Sequence, residues 1–276
     1  MAVQVLGLCR FSYLAEGGFK VQHDALADRR HLLYDPARLA LRFLWFERIC
    51  LPCWAAQTDP DFRLIVLTGT DFPKSWLERL FDVTAAIPQI KVVQEDPGPH
   101  RDVCRRVLRR NVDPAARVVA QFRHDDDDAV AVDYVARCRS DYRQKLRPLF
   151  RAHPLISVDY SRGMTLNAQA GEVEVLPQIT HNLGVALTLY MPPEFPNSVM
   201  NFAHHRLAGA MPGVSFQDSV MYLRGRHGAN DSGDSARMGF PYPMPEPDQP
   251  TILRERFGID LPDFRAKISD MNRLTV

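Results

Sequence analysis

The sequence predicts an α/β protein with a parallel, Rossmann-like first half, a mixed central sheet and a more irregular second half. Three observations carry that prediction. Short β-branched runs alternate with helical patterns four times before residue 130. The apolar run 117–122 leads directly into Asp125, Asp126, Asp127 and Asp128, and open α/β sheets bind ligands at such carboxyl strand ends. After residue 150 the apolar runs shorten and are broken by turn residues rather than by helices.

Taken in order, residues 3–10 form the first strand. Arg10 and Ser12 at its end are candidates to meet a nucleotide base or ribose. Asp35-Pro36 opens a helix, with Asp at the N-cap and Pro at the first helical position. Leu39, Phe43, Phe46, Ile49, Cys50 and Cys53 recur at helical spacing and mark its buried face. Cys50 and Cys53 have a redox or zinc spacing, but they lie on that apolar face and no second pair exists, so core packing is expected. Residues 62–67 and 90–93 are the next strands, with a short helix at 76–81 between them.

The helix after Pro99-His100 sets Val103, Val107 and Leu108 against Arg101, Arg105, Arg106, Arg109 and Arg110. That basic side reads as a solvated face, with its first arginines as alternative diphosphate contacts. The strand 117–122 follows, then a helix over 129–150 for which one of the aspartates supplies the cap. Strands at 155–161, 164–167 and 172–176 read as a meander, and 183–190 as one more strand. His204 and His205 begin a helix, residues 219–224 enter the glycine-rich segment 225–233, and 252–257 and 264–274 form a helical cover. The expected organisation is a single domain in three parts, 1–130, 131–250 and a C-terminal helical cover over 251–276.

Composition narrows the function classes. At 276 residues, 46% hydrophobic and 24% charged, the chain is ordinary globular material. A net charge of +1 gives no pull toward nucleic acid. No apolar run approaches the ~20 residues that span a bilayer, and no basic amphipathic helix stands out as an anchor, which leaves peripheral membrane association open. The absence of a leader pattern and an odd count of five cysteines point to a reducing, cytoplasmic setting. Neither Gly-x-Gly-x-x-Gly after the first strand nor a P-loop motif occurs, which disfavours dinucleotide dehydrogenases and P-loop enzymes.

The aspartate run carries the chemistry. Four adjacent carboxylates repel one another unless a cation sits among them, and hard oxygen ligands suit Mn²⁺ or Mg²⁺, which also bridge phosphates. Asp125 and Asp127 share a face of an extended segment and are the metal candidates. Asp126 and Asp128 are left for the ribose or for a helix cap, and Arg123 for Asp125 or a phosphate. The competing reading is a solvated helix start.

Phe46-Glu47 through Gln57-Thr-Asp-Pro-Asp61-Phe62, Pro73-x-x-Trp76, Arg123-His-Asp-Asp-Asp-Asp128 and His227-Gly-Ala-Asn-Asp-Ser232 resemble the putative rhamnosyltransferase family of bacterial glycosyltransferases. The resemblance covers nearly the whole chain and extends to GT-A glycosyltransferases, whose Asp-x-Asp signature follows a central strand. It implies a GT-A-like fold, a nucleotide-diphosphate sugar donor (dTDP-rhamnose for the named family), a divalent cation, and transfer to a hydroxyl of a saccharide or other acceptor. It also implies a histidine that completes the metal site: His227, with His204 and His205 as rivals. For an inverting transfer it points to Asp218 as general base, with Asp231 as the rival. Two other classes remain beside it. A sugar-phosphate nucleotidyltransferase would carry a glycine-rich basic loop after strand one, where residues 10–18 hold two glycines and one arginine. A non-catalytic cation-binding protein would bind metal without nucleotide.

Overall fold

The computed structural model describes residues 3–16, 26–169, 172–228 and 239–274. Strand β1 (Val3–Arg10) is followed by α1 (Leu26–Leu33), α2 (Pro36–Trp45) and α3 (Leu51–Ala55), the last two joined through a π turn at Phe46–Cys50. Asp35 caps α2 by accepting the Arg38 amide at 2.8 Å, and Pro36 is the first helical residue. The apolar face expected of this segment is wholly buried, and Cys50 and Cys53 are free thiols within it. Then come β2 (Arg63–Gly69), α4 (Lys74–Thr84), β3 (Ile90–Glu95), α5 (His100–Arg109) and β4 (Val118–Asp125). These four strands are parallel, as the alternation of strand and helix requires.

The expected helix over 129–150 is broken. Ala129 and Val130 form a short strand, β5 (Ala129–Val130), and the helix starts later as α6 (Tyr134–Asp141), continuing through a π turn into α7 (Arg147–Ala152). No aspartate of the run caps it; Asp133 holds the cap position without a side-chain bond. The backbone groups that a helix start would have left open are used in a ladder instead, because β5 pairs antiparallel with a late strand.

The expected meander is also divided. The next strands are β6 (Ile156–Tyr160), β7 (Arg162–Gln169), β8 (Glu172–Ile179), β9 (Leu187–Met191), β10 (Gly213–Phe216), β11 (Tyr222–His227) and β12 (Phe240–Pro241). The helices α8 (Gln249–Phe257) and α9 (Leu261–Leu274) close the chain, with Gly258 between them in the left-handed region at φ 70°. One sheet runs β10-β6-β9-β4-β1-β2-β3 and the other β12-β8-β7-β11-β5. β6 and β9 are buried along their whole length, which fits interior positions in the larger sheet rather than a two-faced hairpin. The result is a mixed α/β architecture in which β9 lies antiparallel between β4 and β6. Among the described residues no helix is long and apolar enough to cross a membrane.

Two antiparallel pairings make β4 and β6 point the same way, and β10 is parallel to β6. The ends of β1, β4, β6 and β10 therefore share one sheet edge, with the start of β9 among them. Beneath that edge, Phe122 stacks on Trp54 with ring centroids 5.2 Å apart. Gly7 lies opposite Phe122 across the β1–β4 ladder, and a Cβ there would stand 2.2 Å from the ring. Gly7→Ala is expected to cost about 1–3 kcal/mol by forcing that ring off its place. A urea midpoint equal to that of the unsubstituted protein would show instead that the ring yields freely.

Candidate active site

The end of β4 meets the end of β1 and the start of α5. Arg10 is paired with Asp125 in the ladder, and its Nη2 lies 3.5 Å from Asp125 Oδ1. Arg10 Nη1 also donates toward His100 Nε2 at 3.2 Å. The Asp125 side chain is 53% exposed. Its partly desolvated setting opposes ionisation, but Arg10 and Arg123 outweigh that and hold the carboxyl below its ordinary range.

Arg123 is half-buried and makes no hydrogen bond or ion pair with any described residue. Burial lowers the affinity of its guanidinium for its proton, with Arg10 adding to that against the pull of Asp125. The group lies against Gly184, where a Cβ would come 2.5 Å from Nη2 and where φ is 106°. The same loop holds Asn182 at φ 54° and Ala186 at φ 56°, conformations that L-residues adopt only when their surroundings impose them. His204 Nδ1 donates to the Asn182 carbonyl at 2.6 Å, and burial with Arg123 lowers the imidazole to about 4. His205 is exposed and packs edge-on against His204.

The next three aspartates turn inward. Asp126 is 1% exposed and both its oxygens are taken by Arg42 of α2, with Nε to Oδ2 at 2.8 Å. Burial pushes its carboxyl up to about 6; Arg42 opposes this and the charge of Asp127 reinforces it. Asp128 is buried and accepts the Gly225 amide at 3.0 Å; burial, Asp127 and Asp125 push it well above the carboxylate range. The sequence reading offers these two to the nucleotide or to a helix cap. Their actual partners are α2 and β11, because successive side chains in a tight turn diverge and two of them point back into the protein.

Asp127 and His227 lie side by side. His227 Nε2 lies 3.1 Å from Asp127 Oδ2, both side chains are nearly buried, and the imidazole packs on Trp45 with centroids 4.9 Å apart. Gly225 permits the approach: a Cβ there would sit 2.2 Å from the Asp127 carbonyl oxygen. Adjacent ligands of a divalent ion bound at about 2.1 Å stand about 3 Å apart, so this pair fits one edge of a coordination shell. Among the described residues no three such groups converge on one ion position. Asp125, expected to share a face with Asp127, is turned to Arg10 instead.

Ser12 sits just past β1 at φ 46°, and its hydroxyl is buried without a partner among the described residues. Asp218, in the loop after β10, is bound by Arg137 at 3.0 and 3.1 Å, and that contact holds its carboxyl below the ordinary range. Asp231 lies outside the described residues. Sequence reasoning missed Arg42, His100, Trp45 and Gly225, which act here through contacts remote in sequence and carry no local signature. It also missed Asp159, at the end of β6, although the strand-end rule that selects Asp125 selects it too.

His124 has one consequence for stability. It is buried, packs edge-on against Trp54 at 5.1 Å, and burial lowers its pKa from 6.5 to about 4. Unfolding must take up a proton between those values, so its contribution is intact above about 6.5 and lost as pH falls toward 4, an effect of order 3 kcal/mol. His124→Leu is expected to weaken the fall in urea midpoint between pH 7 and pH 4.5. An unchanged pH dependence would assign the acid lability to other groups.

The sequence matches the family model described as "Putative rhamnosyl transferase" over residues 4–238. No curated protein matches it. Among solved structures, S. aureus TarS 1-349 is similar at 11% identity and TM-score 0.40, covering 80% of this chain and 60% of that one. TarS 1-349 in complex with UDP-GlcNAc is similar at 13% identity and TM-score 0.40, covering 84% and 61%. For the longer S. aureus TarS structure the values are 11%, 0.42, 82% and 37%. The matched region thus spans about 60% or less of those chains.

Proposed function

The chain belongs to the putative rhamnosyl transferase family, and from that membership we propose a glycosyltransferase that moves a sugar from a nucleoside-diphosphate donor to an acceptor hydroxyl. Rhamnose, carried as dTDP-rhamnose, is the sugar we assign, and a saccharide or other hydroxyl compound is the acceptor class.

The observation that carries this reading is Arg123. A half-buried guanidinium that feels the charge of Asp125 but makes no ion pair or hydrogen bond with any described residue is costly, and an anion resolves that cost. Breaking the bond from the anomeric carbon to the diphosphate builds negative charge on the leaving group, which a fixed cation stabilises most at that moment. Arg10 stands on the neighbouring strand and presents a second guanidinium to the same strand end. Asp127 and His227 are the pair we assign to Mn²⁺ or Mg²⁺, which when bound supplies further charge neutralisation on the diphosphate. Ser12, whose buried hydroxyl has no partner among the described residues, is the residue we assign to the nucleoside.

Calorimetric titration with the diphosphates of deoxythymidine and uridine, with and without Mn²⁺, tests the donor assignment. Binding is expected to prefer deoxythymidine and to strengthen with the metal. Arg123→Gln should weaken it about tenfold or more, each tenfold being ~1.4 kcal/mol; unchanged affinity would remove Arg123 from the diphosphate site. Asp127→Asn should abolish the metal-dependent part while leaving the metal-free part. No binding of either nucleotide in any condition would overturn the donor reading.

A further inference from the structure

A second cluster of polar groups lies on the same sheet edge. Asp159 of β6 is in register with Leu187 of β9 on one side and Ser215 of β10 on the other. One strand, β9, separates β6 from β4, so Asp159 stands two strand spacings, about 10 Å, from β4. A separation of that order leaves room for a sugar between a diphosphate at Arg123 and an incoming hydroxyl.

Asp159 is 5% exposed. Its Oδ2 accepts the Asn182 amide at 3.0 Å and lies 3.4 Å from both His181 Nδ1 and Ser215 Oγ. Ser215 Oγ in turn is 3.2 Å from His181 Nδ1 and 2.8 Å from Ser161 Oγ. The other carboxylate oxygen, Oδ1, is buried and has no hydrogen-bond partner among the described residues. Leaving such an oxygen unpaired costs free energy that a purely structural carboxylate would avoid. The His181 side chain, by contrast, is 44% exposed, and its Nε2 reaches the exposed amide of Gln217 at 3.3 Å. A carboxylate and a hydroxyl at Nδ1 select the tautomer that carries the proton there, which leaves the Nε2 lone pair on the exposed side, where it accepts from the Gln217 amide until an acceptor hydroxyl displaces that amide.

We propose that His181, oriented through Nδ1 by Asp159 and Ser215, is the general base that takes the proton of the acceptor hydroxyl. This rests on the glycosyl-transfer reading above. In the step, the acceptor O–H proton passes to His181 Nε2 as its oxygen bonds to the anomeric carbon. The bond from that carbon to the diphosphate breaks, and its electron pair leaves on the nucleoside diphosphate. Asp159 offsets the positive charge that appears on the imidazole, and the proton then returns to solvent. Asp218, which the sequence offers for this role, lies close by in the chain but is neutralised by Arg137, and a carboxylate held by a guanidinium is a weaker proton acceptor.

The strained loop ties the two centres together. Asn182 donates to Asp159 through its amide and accepts from His204 through its carbonyl, while Gly184 lies on Arg123. One short segment therefore sets the distance from the donor guanidinium to the acceptor base.

The test measures release of dTDP from dTDP-rhamnose with water and with a panel of methyl hexopyranosides, alongside calorimetric binding of dTDP. His181→Ala is expected to bind dTDP as the unsubstituted protein does and to turn over about 100-fold more slowly or worse. Added imidazole should restore part of that rate, which a structural role would not predict. Asp159→Asn, acting through His181, should give a smaller loss. Turnover of His181→Ala at the original rate, or a loss that imidazole leaves untouched, overturns the proposal. So does an unsubstituted protein that binds dTDP yet releases none from dTDP-rhamnose with any acceptor. Failure of that protein to bind dTDP is the distinct result that removes the donor reading, and this inference with it.

Discussion

Four carboxyl groups follow one another at the end of β4, and three of them, Asp126, Asp127 and Asp128, are at most 6% exposed. Like charges packed this closely in a desolvated turn are unstable unless each finds its own compensation. The fold supplies four separate answers: Arg10 from β1, Arg42 from α2, His227 from the end of β11 and the Gly225 amide from the same strand. Much of the tertiary arrangement around the strand end follows from meeting that requirement. It draws α2 against the turn, carries β11 across to pair with β5, and forbids a side chain at residue 225. Trp45 closes the arrangement, with His227 on one side and Phe264 of α9 on the other.

The division of labour within the run follows from the same electrostatics. Asp126 and Asp128 are committed to holding the turn, so they are poorly placed to meet a ligand. Asp125 stays open and ionised beside Arg10, and Asp127 faces the His227 imidazole at 3.1 Å. Arg123, two residues upstream of Asp125, is the complement of that set: a half-buried cation that feels the charge of Asp125 but makes no ion pair or hydrogen bond with a described residue.

Strain is concentrated where the two halves of the larger sheet meet. The loop before β9 places Asn182, Gly184 and Ala186 at positive φ. It crosses the gap that the antiparallel strand opens between β4 and β6. A parallel strand there would have needed a crossover helix over the same edge. The antiparallel strand leaves room instead for Arg123 on one side and Asp159 with His181 on the other.

Periodicity and punctuation determined a good deal on their own. The strand at 3–10, the Asp35-Pro36 helix start, the buried face from Leu39 to Cys53 and the strand that delivers the aspartates are local patterns, and local patterns survive folding. The Asp run stands out by residue type and position, whereas its association with His227 is expected only from the family resemblance. What the tertiary structure alone decided is which groups meet. Two strands with the same alternation can belong to different sheets, as β6 and β7 do. Four consecutive carboxylates can each face a different partner, and Arg42 or His181 acquires its place from residues far along the chain. Sequence spacing encodes the face on which a side chain lies. The partner on that face is set by long-range pairing, whose free energy is a sum over the whole molecule rather than a property of any window.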